Sequence, residues 1–314
     1  MIVTTAQLLR QASRVRRTPA TPRRFLSASL RHVPSHIERP EYFVTGQPRE
    51  SPRSTHIFEK EEIPYMREAA VMARYILDFA CSQAVAGRST DEVDALAHAE
   101  MVRKGVCPSP LNYHGFPKSI CTSLNRVACH GIPRETDVLR EGDKLAIDVS
   151  LFHKGYHGDN CATIIVGHPD RHTLASDSAD IAMKKNLIRA NVEALDAAIA
   201  VCEPGRCITD IGAAIQRVAD KHRLEPIREF CGHGLGRSLH MPPLILHYKH
   251  TEKHPLLPGM IFTIEPIFCE KSSKIAVSSE DNWSAFTLDG GSSAQFEHEV
   301  LITEDGVEVL TVPP

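Results

Sequence analysis

The chain has 314 residues, 42% of them hydrophobic, and nearly balanced charge, with 36 Lys and Arg against 39 Asp and Glu. That length can bury one sizeable core or two small ones. The charge balance gives no case for a nucleic-acid or acidic-membrane partner, and no apolar run approaches the roughly 20 residues of a membrane span. Nine cysteines, an odd number without a Cys-x-x-Cys pair, argue against a disulfide framework or structural zinc module and for a reducing compartment.

Residues 1–37 hold seven arginines and no Asp, Glu or Lys, with Ser, Thr and Ala between them, and Leu8, Leu9, Ala12 and Val15 spaced for one face of a short basic helix. This basic, acid-free, hydroxyl-rich composition is that of an organellar transit peptide, mitochondrial in preference to plastid on its arginine richness, with a disordered tail or a polyanion-binding arm as the alternative. Residues 38–56, with Pro40, Pro48 and Pro52, read as an extended linker packed on the domain's surface, and 57–314 as the folded domain. A first helix is expected over 59–84, from Ile63, Met66, Ala70, Ala73, Ile76, Leu77 and Ala80 at helical spacing. A second begins at a Ser89 or Thr90 cap with Glu92 behind it and ends at Gly105. Short strands follow at 120–123, 128–131, 145–151 and 162–166. Two more helices are expected at 174–200 and 208–222, then strands at 227–230, 260–265, 283–288, 296–302 and 307–310. Helix pair then strands, twice over, predicts an α+β domain built from two similar halves.

Five residues carry the chemistry. Asp148 and Asp159 flank the turn sequence His153-Lys154-Gly155, and a hairpin there can set both carboxylates on one sheet face as direct or diagonal neighbours. Buried together, they require protons or cations. His233 lies among three glycines in Cys231-Gly232-His233-Gly234-Leu235-Gly236, with no P-loop lysine and hydroxyl following. Glu265 ends the apolar run Thr263-Ile264-Glu265-Pro266, where a purely structural residue is more often apolar. Glu297 and Glu299 alternate with Phe296, His298 and Val300; Glu297 is taken as the ligand. Four carboxylates and one imidazole form an oxygen-rich set suited to divalent cations that activate water.

The segments Tyr113-His114-Gly115-Phe116-Pro117-Lys118-Ser119, Cys129-His130-Gly131-Ile132-Pro133 and Gly232-His233-Gly234-Leu235-Gly236-Arg237-Ser238-Leu239-His240 resemble those of type I methionine aminopeptidases. So do Thr263-Ile264-Glu265-Pro266 and Ser293-Ala294-Gln295-Phe296-Glu297-His298. The resemblance covers about 57–311, and the leader looks like that of mitochondrial members. It implies the pita-bread fold, a curved antiparallel sheet covered by helices with pseudo-twofold symmetry, and removal of amino-terminal methionine, in the vicinity of the ribosome, from nascent chains with a small second residue. It also implies two divalent ions (Mn, Fe, Co or Zn) held by Asp148, Asp159, His233, Glu265 and Glu297. Glu265 shuttles a proton, and His130 and His240 stabilise the oxyanion and position the peptide. Tyr113, His114, Phe116, Cys121, Leu239 and Trp283 align with the methionine pocket, Leu239 standing where an aromatic residue is usual. Asn125, Val127 and Ser293 align with a monovalent-cation site of backbone carbonyls. Two rival readings remain at this stage: a proline-specific peptidase of the same fold, and a non-catalytic binding relative.

Overall fold

The computed structural model describes residues 30–168 and 176–313. Most of the segment expected as a leader, and residues 174–175 of the third expected helix, lie outside the described residues. Two helices open the body. In α1 (Ile63–Gln83) the buried positions Met66, Ala69, Ala70, Ala73, Ile76, Leu77 and Ala80 recur at helical spacing. Its small residues let the helix lie close on the sheet beneath it. α2 (Thr90–Lys104) starts in a capping box, in which the Ser89 side chain accepts from Glu92 N and the Glu92 carboxylate accepts from Ser89 N. It ends where Gly105 takes the left-handed φ of 73°.

The strands of the first half are β1 (Cys107–Pro108), β2 (Cys121–Leu124), β3 (Val127–Cys129), β4 (Lys144–His153) and β5 (Tyr156–Ile165). Helices α3 (Ala179–Ile199) and α4 (Ile208–His222) follow. The second half then adds β6 (Glu225–Pro226), β7 (Gly232–Gly234), β8 (Met241–Ile245), β9 (Ile261–Ile264) and β10 (Ile267–Cys269). The last strands are β11 (Ile275–Val277), β12 (Ala285–Thr287), β13 (Ser293–Gln295), β14 (His298–Ile302) and β15 (Val307–Val309).

All ladders between these strands are antiparallel. β1-β4-β2, with β5 on β4, packs under α1 and α2 around Ile76, Leu77, Val93, Ile147 and Val149. The order β15-β14-β9-β7-β8 packs under α3 and α4 around Ile188, Leu195, Ile211, Ile215 and Phe262. The two halves meet where Glu297 N donates to Cys161 O at 3.0 Å, bridging β5 to the residue before β14. This is the expected α+β architecture, with a helix pair over each sheet.

Several expected strands change extent. Residues 227–230 do not form one; Glu225–Pro226 pairs with β10 instead. The strand expected at 296–302 begins at His298, because Phe296 and Glu297 cross between sheets. His130 takes φ 53° and ends β3 at Cys129.

Residues 30–56 have no regular helix or strand, yet they are anchored. Val33 and Ile37 are buried against Cys107, Leu111 and Phe152. Arg31 pairs with Asp94 at 2.6 Å and Asp91 at 2.9 Å. The buried Tyr42 donates its hydroxyl proton to Ser109 O at 2.7 Å. Among the described residues no helix is long and apolar enough to cross a membrane, and all nine cysteines are free thiols.

Candidate metal centre

The β4–β5 hairpin turns through Lys154 and Gly155, both with positive φ, as a two-residue turn requires. Its register sets Asp148 opposite Cys161 and Asp159 opposite Ser150. The two carboxylates are therefore diagonal neighbours on one face. From the other half, β7 brings His233, the end of β9 brings Glu265, and the crossover before β14 brings Glu297. One donor atom each from Asp159, His233 and Glu297 lies within 4.8 Å of the other two. His233 Nε2 stands 3.6 Å from Glu265 Oε1 and 3.8 Å from Asp159 Oδ2. Asp148, on the same face as Asp159 by the hairpin register, is the largest charged influence on both Asp159 and Glu265.

Without a counter-charge this cluster is strained electrostatically. Burial pushes Asp148 up to about 7. Burial and then Asp148 push Glu265 up to about 8. Asp159 rises well above its usual range through burial, then Asp148 and Glu265; Glu297 does so through burial, then Asp159 and Glu265. Burial lowers His233 to about 4, keeping the imidazole neutral. Its Nδ1 lies 3.1 Å from Gly234 O. A proton there, donated to that carbonyl, turns the Nε2 lone pair towards the carboxylates. Two buried carboxylates, Asp159 and Glu297, and two partly buried ones, Asp148 and Glu265, all disfavouring their own charge beside a neutral imidazole aimed at them, are a fitting donor set for divalent cations.

The fold and this site find counterparts in known proteins. The model of metallopeptidase family M24 matches residues 64–304. Methionine aminopeptidase 1 of Saccharomyces cerevisiae is 39% identical over 93% of this chain and 72% of its own length. The chain belongs to metallopeptidase family M24. Within it, the chain groups with the methionine aminopeptidases. Methionine aminopeptidase 1D, mitochondrial, of Homo sapiens is 38% identical over 91% of this chain and 82% of its own. The crystal structure of methionine aminopeptidase from Rickettsia prowazekii superposes with TM-score 0.77 at 37% identity, covering 82% of this chain and all of that one. A Pyrococcus furiosus prolidase shares the fold with TM-score 0.61 at 22% identity.

Around the carboxylates lies a set of supporting groups that sequence reasoning did not single out. Ser150 Oγ donates to Asp159 Oδ1 at 2.9 Å. Thr263 Oγ1 donates to Glu265 Oε1 at 3.0 Å, and Gln295 Nε2 to Glu265 Oε2 at 3.2 Å. His247, buried and lowered by burial to about 3, accepts at Nε2 from Glu265 N at 3.1 Å and Gly232 N at 3.3 Å. It thus ties the strands bearing Glu265 and His233 together. Glu299, passed over in favour of Glu297, is fully buried and accepts at Oε2 from Asp159 N at 3.3 Å. Its two-residue spacing from Glu297 was the available signal.

The other expected site residues divide. His240 stacks obliquely 4.3 Å from the His233 ring, and its Nδ1 is 2.8 Å from the Tyr113 hydroxyl. His130 sits edge-on to Phe230 at 5.0 Å and Trp283 at 6.3 Å; burial lowers it to about 4. Phe116 and Cys121 pack with Trp283 and with Ile132, which sequence reasoning missed. His114 is exposed against the Tyr113 ring. Leu239 is buried but lies outside the Phe116–Cys121–Ile132 cluster. The carbonyl of Val127, aligned with a cation site, already accepts from Lys144 Nζ at 3.0 Å and Ser293 Oγ at 3.4 Å. Asn125 spends its side chain on Asp143 Oδ1 and Lys144 N.

Proposed function

We propose that this chain removes the amino-terminal methionine from polypeptides whose second residue is small. The reading is supported by one observation above the others: donors from both halves of the fold converge on a single buried space, with Asp159, His233 and Glu297 inside 4.8 Å. In this reading Asp148, Asp159, His233, Glu265 and Glu297 hold two divalent cations. Bound there, the ions supply a water activated as a nucleophile at neutral pH and a polarised scissile carbonyl.

The protein's own groups do the rest. Glu265, held at both oxygens by Thr263 and Gln295, takes the proton from the attacking water and passes it to the leaving amine. The Tyr113 hydroxyl donates to His240 Nδ1, which leaves Nε2–H as a donor for the developing oxyanion. In this reading His130, edge-on to Phe230 and Trp283, positions the peptide. Phe116, Cys121, Ile132 and Trp283 offer an apolar wall suited to an unbranched thioether.

The arginine-rich, acid-free leader and the mitochondrial relatives support import into mitochondria. Because Arg31, Val33 and Ile37 are anchored in the body, the processed enzyme in this reading begins before Arg31 and not at residue 38.

Release of methionine from Met-Ala-Ser by metal-stripped enzyme resupplied with Mn, Co or Fe tests the proposal. The wild type should turn over with at least one metal, and Asp148→Ala and Glu297→Ala should lose about a thousandfold or more in kcat/KM. Equal inactivity of all three proteins with every metal would favour a non-catalytic relative. Preference for cleavage before proline would favour the prolidase reading.

A further inference from the structure

The carbonyl site aligned with a monovalent cation is engaged by a side chain of this chain. Lys144, at the start of β4, is fully buried, and its Nζ donates to Val127 O at 3.0 Å and Ser123 O at 3.1 Å. Those carbonyls lie on either side of the turn from β2 to β3, the hairpin that leads directly into His130. The turn is fastened to the same lysine by its backbone: Asn125 N donates to Lys144 O at 2.8 Å, and Lys144 N to Asn125 Oδ1 at 3.0 Å. The third residue aligned with the cation site, Ser293, sends its hydroxyl to the same Val127 oxygen.

A buried lysine ordinarily meets a carboxylate. Here the strongest electrostatic neighbours are the thiols of Cys161, Cys269 and Cys129, followed by Lys184. The nitrogen is held by carbonyl dipoles, as a dehydrated alkali ion is, and an ammonium group is close to potassium in size. Val127 O, accepting from both Nζ and Ser293 Oγ, has its two lone pairs taken and none left for a free ion.

We propose that Lys144 is a tethered substitute for the exchangeable monovalent cation, its Nζ filling the carbonyl site and pinning the hairpin that positions His130. This rests on the methionine aminopeptidase reading for the expected cation site. Burial lowers Lys144 to about 7. The pin survives loss of the third proton, because a neutral amine keeps two N–H bonds, one for each carbonyl.

The test compares the full-length metal-loaded wild type with Lys144→Met at about 0.1 M potassium chloride, sodium chloride or tetramethylammonium chloride, so that ionic strength is constant. The wild type should keep its melting temperature within about 1 °C in all three salts. Lys144→Met should melt roughly 4–10 °C lower in tetramethylammonium. It should regain at least half of that loss, and of its lost kcat, in potassium or sodium. A wild type that loses stability when potassium and sodium are withdrawn overturns the proposal. So does a folded Lys144→Met protein that melts alike in all salts. Should that variant not fold, wild-type crystals soaked in rubidium decide: no anomalous peak beside Val127 O supports the tether, and a peak there refutes it. Melting and soaking need no substrate, so neither outcome depends on whether methionine is released.

Discussion

At the scale of single residues, the orientation of Glu265 is fixed from three directions. Thr263 and Gln295 each hold one carboxylate oxygen, and His247 accepts from its backbone amide. The same His247 nitrogen accepts from Gly232 N, one residue before His233. His247→Ala removes an acceptor from two buried amides behind the donor set. Loss of such a supporting partner lowers metal affinity or activity by about 10- to 100-fold. Titration of metal into the stripped variant, followed by calorimetry, should show that drop while the far-ultraviolet circular dichroism stays unchanged; wild-type affinity would contradict the role. Asp148, Asp159, His233, Glu265 and Glu297 could be picked out of the sequence as candidates, since carboxylates in apolar strands and a histidine among glycines are costly unless used, and the fold brings Asp159, His233 and Glu297 together. Their supports could not. Thr263, Gln295 and His247 are ordinary polar residues whose role appears only when distant strands are set side by side.

At the scale of elements, α1 can lie on β5 because residue 158 has no side chain. A Cβ built there would stand 2.5 Å from the carbonyl carbon and oxygen of Ala69 and 2.8 Å from Ala70 N. Backbone cannot retract as a flexible side chain can. Gly158→Ala should therefore cost about 1–3 kcal/mol of stability, seen as a lower urea midpoint at unchanged m-value. An unaltered midpoint would mean the helix is free to move off the sheet. The same strand carries Asp159, so the donor set also leaves a mark on folding. In metal-free protein, burial holds Asp148 near 7 and Glu265 near 8, both above their unfolded values. These two groups bind more protons in the native chain than in the unfolded one, so their contribution to stability falls as pH rises through about 4 to 8. The buried histidines, lowered to about 3 to 4, act in the opposite sense below about pH 6.5, and the net decline is therefore expected above about pH 7. Thermal melts of chelator-treated enzyme should show the decline, and added Mn should reverse it most at the alkaline end. A metal-free melting temperature that goes on climbing from pH 7 to about 8.5 would contradict the raised carboxyls.

Local rules read the helices well. α4 (Ile208–His222) matches its expected bounds, and the Ser89–Glu92 cap and Gly105 stop fix α2. They read the short strands poorly. β7 is three residues with two glycines, and no propensity would make it a strand. It is one because it is paired between β8 and β9, and that pairing is long-range.

At the scale of the whole molecule, the site sits on the seam between two helix-covered halves, so neither half alone has the full donor set. The segment 30–56 straps that seam from outside. Tyr42 packs edge-on against Tyr113 at 5.0 Å, and Ser51 donates to the backbone carbonyl of His240 at 2.7 Å. A protein starting at residue 30 should keep the stability and kinetics of the full chain. One starting at residue 51 gives up the Arg31–Asp94 pair and the buried Val33, Ile37 and Tyr42. It should melt at least about 5 °C lower and show a raised KM, because Tyr113 loses its backing. Identical behaviour of the two truncations would reduce the strap to a passive tail. Proline-rich composition suggested an extended run packed on the domain's surface; which residues anchor it could not be read, because the anchors depend on partners as far along the chain as Asp94, Ser109 and His240.

The location of bound metal tests the account at its centre. Crystals of the Mn-loaded enzyme, measured for anomalous scattering, should show two adjacent peaks enclosed by Asp148, Asp159, His233, Glu265 and Glu297. Manganese bound elsewhere on an active enzyme, with that space empty of scattering, would contradict it.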